Sequence, residues 1–202
     1  GLQAGTPVVA AGHDTQFALL GSGAGEKEVV LSSGTWEILM ARSSSVDIGE
    51  QARNAGFTNE FDALPGLFNI GKQWLASGMV EWIRKTFYTA ECQTNIQSVF
   101  ELMMGEGRAA LKDPGTVSLI PELATNQGII AGIGLQATRG QIYLAALEAL
   151  VEKTREALQQ LEQAGDFVAE SLIVAGGGGR NRLWNQLQIG RASCRERVYC
   201  EV

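Results

Sequence analysis

The chain has 202 residues, 25 of them glycine, and a formal net charge of −6, which is enough for one sizeable domain or two small ones. Its acidic residues are dispersed, so no basic patch offers itself to nucleic acid, and no apolar run approaches the ~20 residues of a membrane-spanning helix. His13 is the only histidine, which excludes a His-rich metal site or a catalytic triad within the chain, and what remains is a protein that handles small molecules.

In chain order, residues 8–10 read as a strand and residues 14–20 as a short helix ended by Gly21-Ser-Gly23. Residues 29–31 and 36–40 read as strands joined by the tight turn Ser32-Ser-Gly-Thr35. The stretch 43–67 is polar and rich in Gly and Asn, so it reads as an excursion or loop. Trp74, Leu75, Met79, Trp82 and Ile83 recur at roughly helical spacing and predict a helix over 72–87. A further helix is expected over 95–104, and residues 116–120 read as a strand ended by Pro121. The longest periodic segment is 139–163, with Ile142, Ala146, Leu147, Leu150, Val151, Leu158 and Leu161 on one stripe and Gly165 as the residue that closes the helix. A strand over 171–174 then breaks into glycines 176–179 before a helix starts near Asn181. The alternation predicts an α/β domain without internal repeats. Three Cys, an odd number, and no signal peptide point to the cytoplasm. Gly1 in place of an initiator Met reads as the start of a fragment, and the Arg- and Cys-rich stretch 190–202 reads as a non-native tail that does not pack on the core.

Four places carry candidate chemistry. Glycines 176–179 bring backbone close to a nucleotide or make a tight turn; a dinucleotide fingerprint would need glycine at 181, where the chain has Asn181. Asp14, after a strand and at the start of a helix, is a base on rigid support or a helix cap. The turn Ser32-Ser-Gly-Thr35 is a phosphate nest or a plain hairpin. Trp74 and Trp82 read as core rather than ligand stack, and Gln73 as surface rather than site.

Taken together, these segments resemble the carboxy-terminal domain of the FGGY carbohydrate kinases. Gly128-Ile-Ile-Ala-Gly-Ile133, seven residues, then Gln141-Ile-Tyr-Leu-Ala-Ala-Leu-Glu148 is similar to a signature of that family. Ala11-Gly-His-Asp-Thr-Gln-Phe-Ala18, Leu31-Ser-Ser-Gly-Thr-Trp-Glu-Ile-Leu39, Gln73-Trp-Leu-Ala-Ser-Gly78 and Arg180-Asn-Arg-Leu-Trp-Asn-Gln186 resemble its L-fuculose branch, and rhamnulose kinases share the Gly-His-Asp-Thr element. The resemblance covers residues 1–189 and implies an actin-like, ribonuclease-H-like ATPase domain, a mixed sheet with flanking helices. It implies phosphorylation of a ketose by ATP with Mg²⁺, L-fuculose to L-fuculose 1-phosphate first among the ketoses; rhamnulose, xylulose or ribulose are the alternatives, as is a non-catalytic nucleotide-binding module. Asp14 then matches the general base, His13 and Thr15 sugar contacts, Gly34 and Thr35 a phosphate loop, Gln73 a nucleotide contact, and Gly177, Gly178 and Asn181 the adenosine motif. The partner it implies is an amino-terminal domain that carries most of the sugar pocket, and it implies a final strand and helix that the stretch from 190 replaces.

Overall fold

The computed structural model of the chain describes residues 1, 3–7, 13–45, 49–91, 95–122, 127–191 and 195–198, so the strand expected over 8–10 lies outside the described residues. Its centre is a six-stranded mixed sheet made, in order across the sheet, of β3 (Phe57–Phe61), β4 (Phe68–Leu75), β2 (Trp36–Ser43), β1 (Glu28–Ser33), β7 (Ser171–Ala175) and β8 (Arg195–Val198). β1 and β2 form the expected hairpin, and β2 pairs antiparallel with β4 along its whole length. β3 adds an edge to β4, and β7 runs parallel to β1 on the other side.

Side chains alternate across a strand, and here both faces are apolar. Val29, Leu31, Leu39, Ala41, Leu172 and Val174 enter the main core, while Val30, Met40 and Ile173 turn to the opposite face and meet Leu19 of α1 (Asp14–Gly21). The main core is closed by α3 (Ser77–Phe87), α4 (Ile96–Ala110), α5 (Arg139–Gly165) and α6 (Arg182–Arg191). All seven residues of the expected stripe on α5 are buried. A capping box opens that helix: Gln141 N–H donates to Thr138 Oγ1 at 3.2 Å, and Thr138 N–H donates to Gln141 Oε1 at 2.9 Å.

Several expectations are corrected. The helix expected over 72–87 is two elements, β4 and α3. Trp74 and Leu75 belong to the strand, where eight cross-strand pairs with β2 outweigh a chance helical spacing. Trp74 is buried but Trp82 is half exposed, edge-on to Phe87. The stretch 43–67 contains α2 (Glu50–Asn54) and β3 rather than loop alone. Gly165 is the last residue of α5, and Asp166 takes the left-handed position at φ 50°, a conformation that Asp tolerates better than most residues. Pro121 sits inside β5 (Ser118–Glu122), whose one partner among the described residues is β6 (Gln127–Ala131); a proline fits an edge strand because the missing N–H can face away from the ladder.

The signature glycines fit the close backbone approaches of this second hairpin. A Cβ on Gly132, at φ +70°, would lie 1.9 Å from Thr116 O, and one on Gly128 would lie 3.2 Å from Ile120 O. Residues 195–198 form β8 (Arg195–Val198), parallel to β7, so the expectation that the tail stands clear of the core is corrected at the level of the backbone. The free edge of β7 offers unpaired N–H and C=O groups to any extended segment, whatever its side-chain pattern. Among the described residues, no helix is long and apolar enough to cross a membrane.

Candidate functional site

β1 and β7 are parallel and paired through Ser32 and Ala175, so the turns that follow them emerge side by side at one end of the sheet. Ligands of open α/β sheets bind in such crevices outside the carboxyl ends of the strands. Gly176 leaves β7 at φ +92°, where a Cβ would lie 2.7 Å from Ser33 O; a Cβ on Gly178 would lie 1.9 Å from Ser33 Oγ. Both glycines therefore let the loop rest on β1. A Cβ on Gly177 would meet nothing within 4 Å, so this is the loop residue that is open on its outer side. The loop closes as a 3-10 turn over Gly177–Arg180, with Gly179 N–H donating to Gly176 O at 3.1 Å and Asn181 N–H to Gly178 O at 2.9 Å.

Asn181, standing where a dinucleotide fingerprint would have glycine, caps α6. Its Oδ1 accepts from Trp184 N–H at 3.1 Å, and its Nδ2 donates to the Tyr143 hydroxyl at 2.7 Å. Burial pushes the pKa of that hydroxyl up to about 12 against the pull of the Asn181 hydrogen bond, so Tyr143 is a neutral anchor. Asn185 Nδ2 donates to Gly179 O at 2.6 Å and ties the loop to the same helix.

The loop forms one wall of a cleft of about 430 Å³. Thr35, Gly177, Gly178 and Asn181 line it, with Ser77, Gly78, Val80 and Glu81 from α3, Gln97, Phe100 and Met104 from α4, and Arg180 and Trp184. Thr35 is held by Ala76 N–H, which donates to its carbonyl at 3.1 Å, and Gly34 N–H closes the turn onto Trp36 O at 3.0 Å. Arg84 donates to both oxygens of Glu81, at 2.7 and 2.6 Å, and these bonds hold the Glu81 carboxyl below the usual carboxylate range. Trp184 is buried, and its indole N–H has no acceptor among the described residues, a situation that costs about 1–3 kcal/mol when nothing accepts.

Four of the expected nucleotide residues thus meet in one cleft, with Gly34 in the adjoining turn. Gln73 does not join them. It is exposed on β4 opposite Ile38, on the sheet face that carries α1. His13, Asp14 and Thr15 also stand apart, at the start of α1. His13 is the N-cap and makes no side-chain cap bond, so Asp14 is not the cap residue. The Asp14 carboxylate accepts from Thr15 N–H at 2.9 Å and lies 3.2 Å from His13 Nδ1, with its side chain 92% exposed. His13 Nδ1 and Thr15 Oγ1 share a 2.5 Å contact. Sequence reasoning missed Ser77, Phe100, Met104 and Trp184. Ser77 and Gly78 close the motif from which Gln73 was singled out, and a strand ending at Leu75 would have moved attention to them.

A family model described as the FGGY family of carbohydrate kinases, C-terminal domain, matches residues 29–195. L-fuculokinase from Escherichia coli (strain K12) is 47% identical over 189 residues, covering 93% of this chain and 39% of that protein. L-fuculokinase from Haemophilus influenzae is 41% identical over 187 residues, covering 90% of this chain and 39% of that protein. The chain therefore spans about two fifths of the length of these relatives. The crystal structure of xylulose kinase from Rhodospirillum rubrum superimposes with a TM-score of 0.79 at 15% identity, over 93% of this chain and 38% of the other. That likeness concerns the fold alone, which is the actin-like ATPase fold with a mixed sheet and flanking helices.

Proposed function

Since the chain belongs to the FGGY family of carbohydrate kinases, within its C-terminal domain, we propose that it is the nucleotide-holding part of an enzyme that transfers the γ-phosphoryl group of ATP to L-fuculose, giving L-fuculose 1-phosphate. The observation that carries this reading is the single cleft in which Thr35, Gly177, Gly178 and Asn181 meet. Its walls fit a nucleotide: Val80, Phe100 and Met104 offer apolar surface to a planar base, Gly177 leaves room for close approach, and the Trp184 indole N–H lacks an acceptor among the described residues. Thr35 supplies a turn N–H and a hydroxyl for phosphate oxygens, and Gly34, whose N–H donates to Trp36 O, shapes the turn that presents them. A Mg²⁺ ion that accompanied the nucleotide would be held mainly by phosphate oxygens and water, as that ion prefers. Gln73, on the other sheet face, has no part in this cleft.

Asp14 serves as the base that accepts the proton of the attacking sugar hydroxyl, with His13 and Thr15 orienting the sugar. Its exposed carboxylate, which accepts one neighbouring N–H, keeps lone pairs for that task. Phosphoryl transfer depends chiefly on positioning and charge neutralisation, so the base mainly orients the nucleophile. The partner that completes the sugar site is the amino-terminal part of the L-fuculokinases, which this chain does not span, and the compartment is the ATP-rich cytoplasm.

The test joins this chain to the amino-terminal part of E. coli L-fuculokinase and supplies MgATP with L-fuculose, L-rhamnulose, D-xylulose or D-ribulose. L-Fuculose should show the highest kcat/KM, and Asp14→Asn should lower kcat by about 10²-fold or more with KM little changed. A kcat within a few-fold of the parent removes Asp14 from the mechanism, and preference for another ketose reassigns the substrate. ATP binding without turnover of any sugar favours the non-catalytic module.

A further inference from the structure

Glu37 lies just beyond the Gly34-Thr35 turn, on β2, opposite Ser33 of β1 and Trp74 of β4. It is fully buried. Ser33 Oγ bonds its Oε1 at 3.2 Å, Trp74 Nε1 donates to its Oε2 at 2.8 Å, and the Thr154 hydroxyl of α5, which itself donates to Leu150 O at 3.1 Å, faces the same carboxyl as a third neutral partner. All three partners are uncharged, and an ionised carboxylate held only by neutral groups in a core is costly. Burial accordingly pushes the Glu37 pKa up to about 8, against the smaller opposing pull of the three hydrogen bonds. At neutral pH the side chain is mainly a carboxylic acid, able to donate to one hydroxyl while Oε2 still accepts from Trp74.

Ser33 is also the seat of the glycine loop. The absent Cβ atoms of Gly176 and Gly178 would fall 2.7 Å from its carbonyl oxygen and 1.9 Å from its hydroxyl, respectively. A shift of Ser33 therefore moves the loop, and with it Gly177, which opens outward between them. We propose that Glu37 is a positioning residue for the nucleotide cleft: by holding the Ser33 hydroxyl against Trp74 and α5, it sets where the glycine loop stands and so the width of the cleft at Gly177. The proposal rests on the ATP reading of that cleft. A purely apolar core residue at 37 would fill the space but leave the Ser33 hydroxyl and the Trp74 N–H to find other partners.

The test uses the 202-residue chain and two readouts: the affinity for a fluorescent ATP analogue, and amide hydrogen exchange at Gly179 and Asn181, whose N–H groups close the loop. Glu37→Gln reproduces the neutral acid and should stay within about 2-fold of the parent in both. Glu37→Ala and Ser33→Ala should speed exchange at Gly179 and Asn181 by about 10-fold and weaken the analogue by a similar factor, while the buried α4 amides of Val99 and Met103 keep their protection. A residue with only a general packing role would loosen both regions together. Parent-like loop exchange in folded Glu37→Ala overturns the proposal, as does a Glu37→Gln variant as impaired as Glu37→Ala. Should Glu37→Ala fail to fold, Ser33→Ala decides on the same readouts. Should the parent bind no analogue, the ATP reading fails, and exchange at the loop still decides whether Glu37 positions it.

Discussion

Asp14 and Glu37 are two carboxyl groups with opposite surroundings. Asp14 is solvent-exposed at the first turn of α1. Glu37 has no solvent and no cation among its hydrogen-bond partners, and burial raises its pKa from 4.5 to about 8. Its folded-state pKa lies above the unfolded one, so between those two values the folded chain holds a proton that the unfolded chain has lost. The stability this contributes is complete below about pH 4.5 and is lost as the pH rises towards 8. We expect the parent to lose on the order of 3 kcal/mol between pH 5 and 8.5 relative to Glu37→Gln, in which position 37 does not titrate. Thermal melts of both proteins across that range test this, and parallel curves would show that Glu37 does not titrate between the two values.

At the scale of elements, the glycine loop separates positions that shape the fold from the one that faces the cleft. Gly178→Ala places a Cβ 1.9 Å from Ser33 Oγ, and Gly176→Ala combines a contact at 2.7 Å with a left-handed φ of +92°. Each should cost about 1–3 kcal/mol, as strained backbone or overpacked sites do. Gly177→Ala meets nothing within 4 Å, so its melting temperature should match the parent while its affinity for the ATP analogue falls. Calorimetry and a binding titration on the three variants check the pattern; a destabilised Gly177→Ala with unchanged affinity would show that Gly177 supports the fold and not the cleft. Trp74 and Leu75 look helical because apolar residues happen to fall at the right interval, but both sit in a strand whose Ile70 and Trp74 enter the main core while Asn69, Gly71 and Gln73 turn to the other face, an alternation that Lys72 interrupts.

Across the whole molecule, the sheet divides the candidate chemistry. The nucleotide cleft is walled by α3, α4 and α6, which pack on one face, whereas α1 and its Asp14 lie with the residues of the other face. Such a division leaves the sugar side open, and positioning supplies much of the rate of a transfer between two bound molecules. The chain by itself should therefore bind the ATP analogue but form no sugar phosphate above a blank when given MgATP and L-fuculose. A coupled assay with enzyme-level sensitivity checks this, and sustained turnover would mean that one side of the cleft is enough.

The identity of the domain was legible in short motifs, because residues such as Gly132 and Gln141 are tied to local geometry that few substitutions satisfy: a left-handed backbone against Thr116, and a capping box that starts α5. The stripe of α5 and the hairpin around Gly34 were legible for the same reason, since they depend on neighbours close in the chain. Which side chains line the cleft was not. Phe100, Met104 and Trp184 come from helices far apart in sequence, and Gln73 was carried away from the cleft by the pleat of a strand that its own spacing did not announce. Nor could the sequence distinguish Glu37 from any surface glutamate; only the closure of α5 over β2 and β4 removed water from it and made its proton part of the fold.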